Sequence, residues 1–530
     1  MDGLASLFNV NYLRENWTLI KQIWMLALPV MLTNLLQSLL SVIDIFMVGR
    51  LGPIPIAAAG MSNAIRMLVL ILMLSVAAGA MSLVAQAKGA RDPQRMSHVT
   101  RQALSSGMII AIVLGTAGIF LANPLLTMAN SGGDPEAVTL GTAYLQILFL
   151  GTPFLVLNVI MNRLMQGAGD TLTPLLLTGG INILNVGFNY VLMFGVGIFP
   201  AFGLSGAAMG TVTARAIGVV IALIIINSGR NVIKILPGTW LPDWQMVKDI
   251  LVIGVPSGVQ GVFRNGSRLL VISIVTSTAA GSYGAAALAI GFQVETLVFM
   301  PGLGINVAGT TLVGQSLGRW QIDEARKRGN ITLMMGLVVM TVLAIPLIVF
   351  APAVISFFDP SAHPTLLAAG VSYLRISTVA LPLASIAIVA NGNLRGAGDS
   401  MPGLISTMFT RGLSTVVCAY VLAITLGWGS DGVWYGIAIG TVLDAIYMGW
   451  RWKGDAWLAV ALQKAPIYRE HLSKLPQSVV ELYLRDVRAP LMAETGAFEE
   501  VTPDGVVYHL EKREVEIQFS SQSYKLVEQT

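Results

Sequence analysis

From Ile20 to about Trp450 the chain is a succession of long apolar runs. Many are close to the ~20 residues an α-helix needs to cross a bilayer. No other feature limits the fold so severely. A helix apolar on every side needs lipid around it, or a core larger than this chain can build. Composition agrees: 55% of the 530 residues are hydrophobic and 11% charged, with mean hydropathy +0.73. A soluble protein carries about 25% charged residues. The expected fold is an all-α integral membrane protein with twelve transmembrane helices. They fall at approximately 20–48, 56–86, 102–123, 139–165, 173–199, 203–228, 248–278, 285–317, 331–358, 366–394, 401–427 and 431–452. The second and eighth are long enough to call for tilt or kinks.

The connections alternate in charge. One set carries Lys88, Arg91, Arg95 and Arg101, then Arg230, Lys234 and Lys248, then Arg319, Arg326, Lys327 and Arg328. The other holds Arg50 alone among basic residues, with Asp134, Glu136, Asp359 and Asp431. The positive-inside rule places the basic loops and both termini in the cytoplasm. It also accounts for the pI of about 9.1 without invoking nucleic acid. Arg14, Glu15 and Lys21 precede a first run too long for a signal-peptide core, so no cleavable leader is expected. One cysteine, Cys418, excludes an intramolecular disulfide framework, and four scattered histidines form no metal constellation. His98 reads as a solvated residue of a basic loop.

The chain contains itself twice. VAQAKG (84–89) returns as VGQSLG (313–318), MQGAGDT (165–171) as LRGAGDS (394–400), and GAAMGT (206–211) as GIAIGT (436–441). The separations are 229, 229 and 230 residues. A duplicated unit of six spans keeps its orientation, so the halves are related by a pseudo-two-fold axis along the membrane normal. The expected organisation is a six-helix bundle over 1–228, a cytoplasmic linker over 229–247, a second bundle over 248–452 and a hydrophilic cytoplasmic tail over 453–530. Duplicated bundles are typical of secondary transporters, whose substrate path runs between the halves.

With these landmarks the sequence resembles the multidrug and toxic compound extrusion (MATE) family of antiporters, over roughly residues 20–450. VIDIFMVGRLG (42–52) resembles the family's first-span signature. VAQAKGARD (84–92) and VGQSLGRW (313–320) resemble the ends of its second and eighth spans, and QGAGDT and RGAGDS the loops after its fourth and tenth. The resemblance implies a multi-pass inner-membrane exporter of amphipathic, often cationic, compounds, exchanging them for entering H⁺ or Na⁺ by alternating access. It implies no cofactor, and no phosphate-binding G-x-x-x-x-G-K-[ST] loop occurs. A monomer in the lipid bilayer is expected, with no nucleic-acid partner.

Asp44 matches the first-span aspartate that resembles the family's coupling-ion site. The spacing supports a polar wall: Asn34, Gln37, Ser41 and Asp44 recur at helical intervals and share one face. Desolvation disfavours a charged carboxylate, so an acid facing a cavity can take up and release a proton, or hold Na⁺ among oxygens. The alternative is a structural carboxylate paired with a neighbouring arginine. Asn182, Asn185 and Asn189 likewise share a face of the fifth span. Either they line the N-terminal cavity with Asp44, or they are hydrogen-bonding glue between helices.

Where one branch of the family carries a seventh-span glutamate, eight residues after the proline, this chain has Arg264 after Pro256. Where that branch has a tenth-span aspartate, SIAIVANGN has no acid. The sequence therefore looks more like the DNA-damage-inducible (DinF-like) branch, with the ion site in the N-terminal half, which favours H⁺ over Na⁺. Gln260, Arg264 and Ser267 share a face that lines a C-terminal cavity, and arginines there repel cationic drugs or bind anionic ones. Glu295 and Arg66 occupy positions 229 residues apart, so they either pair across the halves or Glu295 is a second proton site. Arg264 and Arg268 are its other partners in reach. Asp444 is expected to meet Arg451, and Asp170 and Asp399 to cap the helices that follow them.

Beyond Lys453 the chain turns hydrophilic, and a helix around Ile467–Arg488 and a hairpin around Gly505–Phe519 are expected. Four readings remain open. They are an H⁺-coupled exporter, a Na⁺-coupled relative, a lipid-linked precursor flippase of the same superfamily, and, from another class, a channel or membrane-embedded enzyme.

Overall fold

The structure, a computed structural model, describes residues 14–130, 133–228, 232–358, 363–463, 501–502, 505–507, 512–519 and 522–529. Arg230, Asp359 and the expected helix over Ile467–Arg488 lie outside them. Spans 1 to 6 are Trp17–Gly49, Pro53–Gly89, Pro93–Ala129, Pro135–Ala168, Leu172–Phe194 and Gly203–Asn227. Spans 7 to 12 are Trp244–Thr276, Gly281–Gly318, Ile322–Val349, Pro364–Gly396, Met401–Thr425 and Gly429–Lys453. Among the described residues nine are helices long and apolar enough to cross a membrane, spans 4 and 10 qualify as bent pairs, and span 2 is assigned by its length and its place between spans 1 and 3. Span 2, with 37 residues, reaches about 55 Å at 1.5 Å per residue. Asp-Pro pairs start two of them: Asp92 accepts from Arg95 N and Asp134 from Glu136 N, with proline at the first helical position.

The sharp breaks are not in spans 2 and 8, which run as unbroken helices, but in spans 4 and 10. These bend by 50° and 52° at Gly151 and Ala380, 229 residues apart. Two residues on, Pro153 and Pro382 each remove a backbone donor and crowd the carbonyl four residues back. Span 11 carries π-helical turns at Thr407–Ser414 and Val421–Thr425.

The repeated landmarks are where the two bundles meet. Ser82 Oγ donates to Arg395 O, and Gln86 Nε2 to Gly396 O at 3.1 Å. Their counterparts 229 residues on do the same in reverse: Thr311 Oγ1 donates to Gln166 O at 2.9 Å and Gln315 Nε2 to Gly167 O at 3.3 Å. A Cβ on Gly89 would lie 2.1 Å from Gln315 O, and one on Gly318 would lie 2.1 Å from Gln86 O. Only glycine lets spans 2 and 8 cross this closely, and the exchange of partners is the pseudo-two-fold axis seen in contacts. Gly79 and Gly254 allow the same approach between spans 2 and 7, each Cβ position being 2.0 Å from a carbonyl oxygen of the other helix. All of these contacts lie toward the end bearing the basic loops, which is thereby sealed.

The linker lies along span 3. Arg101 donates to Thr239 O at 3.2 Å and to Leu236 O, Ser97 Oγ accepts from Leu236 N, and Gln102 bonds Leu241 O and Asp243 N. His98 is therefore not a free solvated residue: its Nε2 sits 2.9 Å from Asp243 Oδ2. Asp444 meets Arg411 Nε at 2.9 Å and Ser406, whereas Arg451 reaches Asp399 at 2.8 Å, so the expected Asp444–Arg451 contact is replaced by two others. Asp170 does cap its helix, accepting from Thr173 N.

The packed body continues past Lys453. Helix Ala456–Gln463 places Trp457, fully buried, in a stack 4.8 Å from Trp452, in one cluster with Val313, Leu317 and Leu394. The later strands are β1 Val501–Thr502, β2 Gly505–Val507, β3 Lys512–Phe519 and β4 Gln522–Gln529, in the order β1-β2-β4-β3. The hairpin expected over Gly505–Phe519 is shifted along the chain. β3 pairs antiparallel with β4, which sets Val515 opposite Leu526 and Ile517 opposite Tyr524, while β2 lies parallel to β4. Pairing two eight-residue alternating segments satisfies more backbone than pairing β3 with the short β2.

Candidate functional site

Each half holds a polar centre among the membrane spans. In the first, Asn189 Nδ2 donates to Asp44 Oδ1 at 2.9 Å and to Asn185 Oδ1 at 2.9 Å, and Asn185 Nδ2 donates to Thr211 Oγ1 at 3.0 Å. Spans 1, 5 and 6 are thus tied by one chain of hydrogen bonds ending on the carboxylate. Asn185 and Asn189 are buried, whereas Asp44 is half-buried. Asn182 Nδ2 donates to Leu36 O at 2.8 Å, fixing the separation of spans 1 and 5. Asn34 is half-buried, Gln37 and Ser41 are exposed, and Ser41 Oγ bonds back to Gln37 O.

Arg66, Arg215 and Tyr144 stand within coulombic reach of Asp44. Neither arginine closes to an ion pair with it among the described residues, and Arg66 Nε is buried without a partner. The helical spacing of the polar stripe brought Asp44 and Asn189 to notice. Thr211 and Arg215 carried no such signal, because spacing along one helix does not tell which helix it faces. Gly210 belongs with them. A Cβ there would meet Asn189 Oδ1 at 2.3 Å and Asn189 N at 2.7 Å, so glycine is what lets spans 5 and 6 close over the asparagine.

The second centre surrounds a cavity of about 370 Å³, lined by Gln260, Arg264, Ser267, Arg268, Glu295 and Arg411 among others. Gln260 Nε2 donates to Gly403 O and to Thr407 Oγ1, both at 2.9 Å, and its Oε1 accepts from Asn391. Arg411 reaches the cavity from the π-helical turn of span 11. The extra residue in a π turn re-aims side chains, and such turns recur at functional sites. Glu295 does not pair with Arg66, which stands near Asp44 in the other half. Its Oε1 accepts from Tyr373 Oη at 2.7 Å, and Tyr373 is fully buried.

Two six-helix bundles related by a pseudo-two-fold axis, sealed at one end around intramembrane polar centres, define a membrane transporter rather than an enzyme. The MatE family model matches residues 29–191 and 256–421, one stretch in each half, and the chain belongs to that family. It is 28% identical over 430 residues to the probable multidrug resistance protein NorM of Thermotoga maritima, covering 81% of this chain and 90% of that one. It is 25% identical over 451 residues to the multidrug resistance protein MdtK of Yersinia enterocolitica, covering 83% and 97%. A solved structure described as the outward-facing conformation of a multidrug resistance MATE family transporter has the same fold, with TM-score 0.75 at 24% identity over 82% of this chain and 95% of that one.

Proposed function

We propose that the protein exports amphipathic compounds, cationic ones among them, in exchange for protons by alternating access, with Asp44 as the coupling site. The observation that carries this reading is the half-buried carboxylate tied through Asn189 and Asn185 to span 6. Adding or removing one proton at Asp44 changes what the end of that chain can accept, and therefore how spans 1, 5 and 6 hold together. The surroundings favour H⁺ over Na⁺. The side-chain partner of Asp44 is the Asn189 amide N–H, a donor, whereas a bound Na⁺ needs a shell of oxygens. The absence of acids at the seventh- and tenth-span positions supports assigning the chain to the DinF-like branch. The basic end lies in the cytoplasm of a bacterial-type inner membrane, with both termini there, the protein acting as a monomer without cofactor. The sealed basic end then means that the substrate path opens outward.

The test is substrate-driven proton release from proteoliposomes in sodium-free buffer, wild type against Asp44→Asn. Release by the wild type alone supports the proposal. Equal release by both makes Asp44 structural, and release that requires sodium overturns the choice of ion.

A further inference from the structure

The cavity in the second half has more positive charge than its own acids neutralise. Three arginines and two acids line it: Arg264, Arg268 and Arg411 against Glu295 and Asp444. Arg411 and Asp444 are bound to each other at 2.9 Å. Glu295 is engaged by the Tyr373 hydroxyl and makes no ion pair with a cavity arginine. Arg268 rests its guanidinium on the face of Phe292, with Cζ 4.1 Å from the ring centroid. A cation over an aromatic face keeps its charge and its in-plane N–H donors. Arg264 has neither hydrogen-bond nor ion-pair partner among the described residues and is exposed to the cavity. A guanidinium offers five donors in a fixed fork that matches a carboxylate or phosphate, and holding one unpaired inside a membrane protein is costly.

Polar groups such as Asn265, Thr296 and Asn391 also line it, and its apolar surface comes from Val271, Phe292, Phe299, Leu303, Ile388 and Met448. The volume is that of a site for a small molecule. Deeper in the fold, toward the sealed end, Arg163 bonds Gln166 Oε1 and Arg395 bonds Asn306 Oδ1, so these cations too have neutral partners.

We propose that this cavity is a subsite for an amphipathic molecule with an anionic headgroup, whose carboxylate or phosphate binds Arg264 and Arg268 while its apolar part lies against Phe292 and Phe299. The inference deepens the export reading by naming a substrate class the first half alone would not select. Zwitterionic amphiphiles satisfy both halves, their cationic group being compatible with Asp44.

The test uses two xanthene dyes that differ at one group: rhodamine 19, with a free carboxylate, and rhodamine 6G, its ethyl ester. Binding to the full-length protein in neutral detergent is followed by fluorescence anisotropy, with no gradient present. The wild type is expected to bind the carboxylate at least ~10-fold more tightly than the ester, a typical worth for one charge-assisted pair. Arg264→Gln removes that preference, chiefly by weakening the carboxylate; Arg264→Lys retains part of it, and monodisperse elution of each variant shows that it is folded. An equal or inverted preference in the wild type overturns the proposal, as does a preference that survives Arg264→Gln. Displacement of the carboxylate dye by phosphatidylglycerol but not phosphatidylcholine supports the anion site and identifies a lipid as its occupant. Resistance to both supports a soluble amphiphile. Proton release measured with the ester dye keeps the two readings apart. If it persists while the dye preference fails, the subsite falls and the exporter stands; if it fails while the preference holds, the converse follows.

Discussion

At Asn189 a single side chain serves three helices. Its amide nitrogen binds Asp44 and Asn185 at once, and Gly210 leaves the space in which it sits. Asn189→Leu should therefore lower substrate-driven proton release by at least ~10-fold, the cost of about 1.4 kcal/mol for a lost hydrogen bond to a charged group. Read on melting temperature, which stays measurable in Asp44→Asn, the same change should cost almost nothing further in that background, since one unit has already been broken. Additive losses in that double-mutant cycle would show that the two residues act separately. A second residue-scale test lies outside the membrane. The hydrogen bond from His98 holds the Asp243 carboxyl below its ordinary 3.8. A depressed carboxylate stabilises the fold above its unfolded value, and that contribution disappears as pH falls through the folded value. Both partners are partly exposed, so a few tenths of a kcal/mol are at stake. The melting temperature of His98→Ala should fall slightly below wild type at pH 6, with the gap closing toward pH 3; a gap that widens in acid refutes the assignment. Asp44 and the asparagine stripe were legible in the sequence because helical periodicity puts them on one face. Arg215 and Thr211 were not, since their meaning depends on a neighbour that only the fold supplies.

Among the elements, spans 2 and 8 show why a repeat is more than a record of duplication. Each ends on a glycine packed against the glutamine of the other, and each hydroxyl or amide in one finds a carbonyl in the last helical turn of span 4 or 10 of the opposite half. The motifs VAQAKG and VGQSLG were visible as landmarks, yet nothing in one sequence says that they touch. The bends of spans 4 and 10 have no signature in hydropathy: each run stays apolar across the break itself, which hides the Pro153 and Pro382 signals. Reciprocity makes a prediction. Gly89→Val and Gly318→Val should damage the seam alike, because each pushes a side chain into a backbone carbonyl that has nowhere to go. Each is expected to cost about 1–3 kcal/mol as overpacking. A cysteine placed at Thr311, with Cys418→Ser as background, should become reactive to a maleimide in either variant and remain protected without them. Reactivity in only one of the two would mean that the halves do not share the seal.

For the molecule as a whole, the question is where the transporter ends. Composition put the boundary at Lys453, where charge rises, and that shift is real. Burial carries the packed body beyond it, through Trp457, Leu458 and Ala461. Trp457 donates from its indole to Trp452 O, Trp452 donates to Asn330 Oδ1, and Arg326 pairs with Asp455. Gly329 stands under Trp452, where a Cβ would lie 2.0 Å from the ring. Span 9, span 12 and helix Ala456–Gln463 therefore form one packed corner at the basic end. The short AWLAVALQ segment was not legible as part of the bundle because eight residues cannot cross a bilayer, and a helix that packs on the flank of others has no length signature. Two truncations separate the readings. A chain ending at Gln463 retains this corner and should keep the melting temperature and proton release of the full chain. A chain ending at Gly454 exposes the face of Trp452 and loses Trp457, a deletion worth about 3–5 kcal/mol for a buried tryptophan. It should melt several degrees lower while still inserting. If both truncations behave alike, the corner contributes nothing and the compositional boundary is the physical one. If the chain ending at Gln463 also loses stability, the segment carrying β1 to β4 is part of the folded transporter rather than an appendage to it.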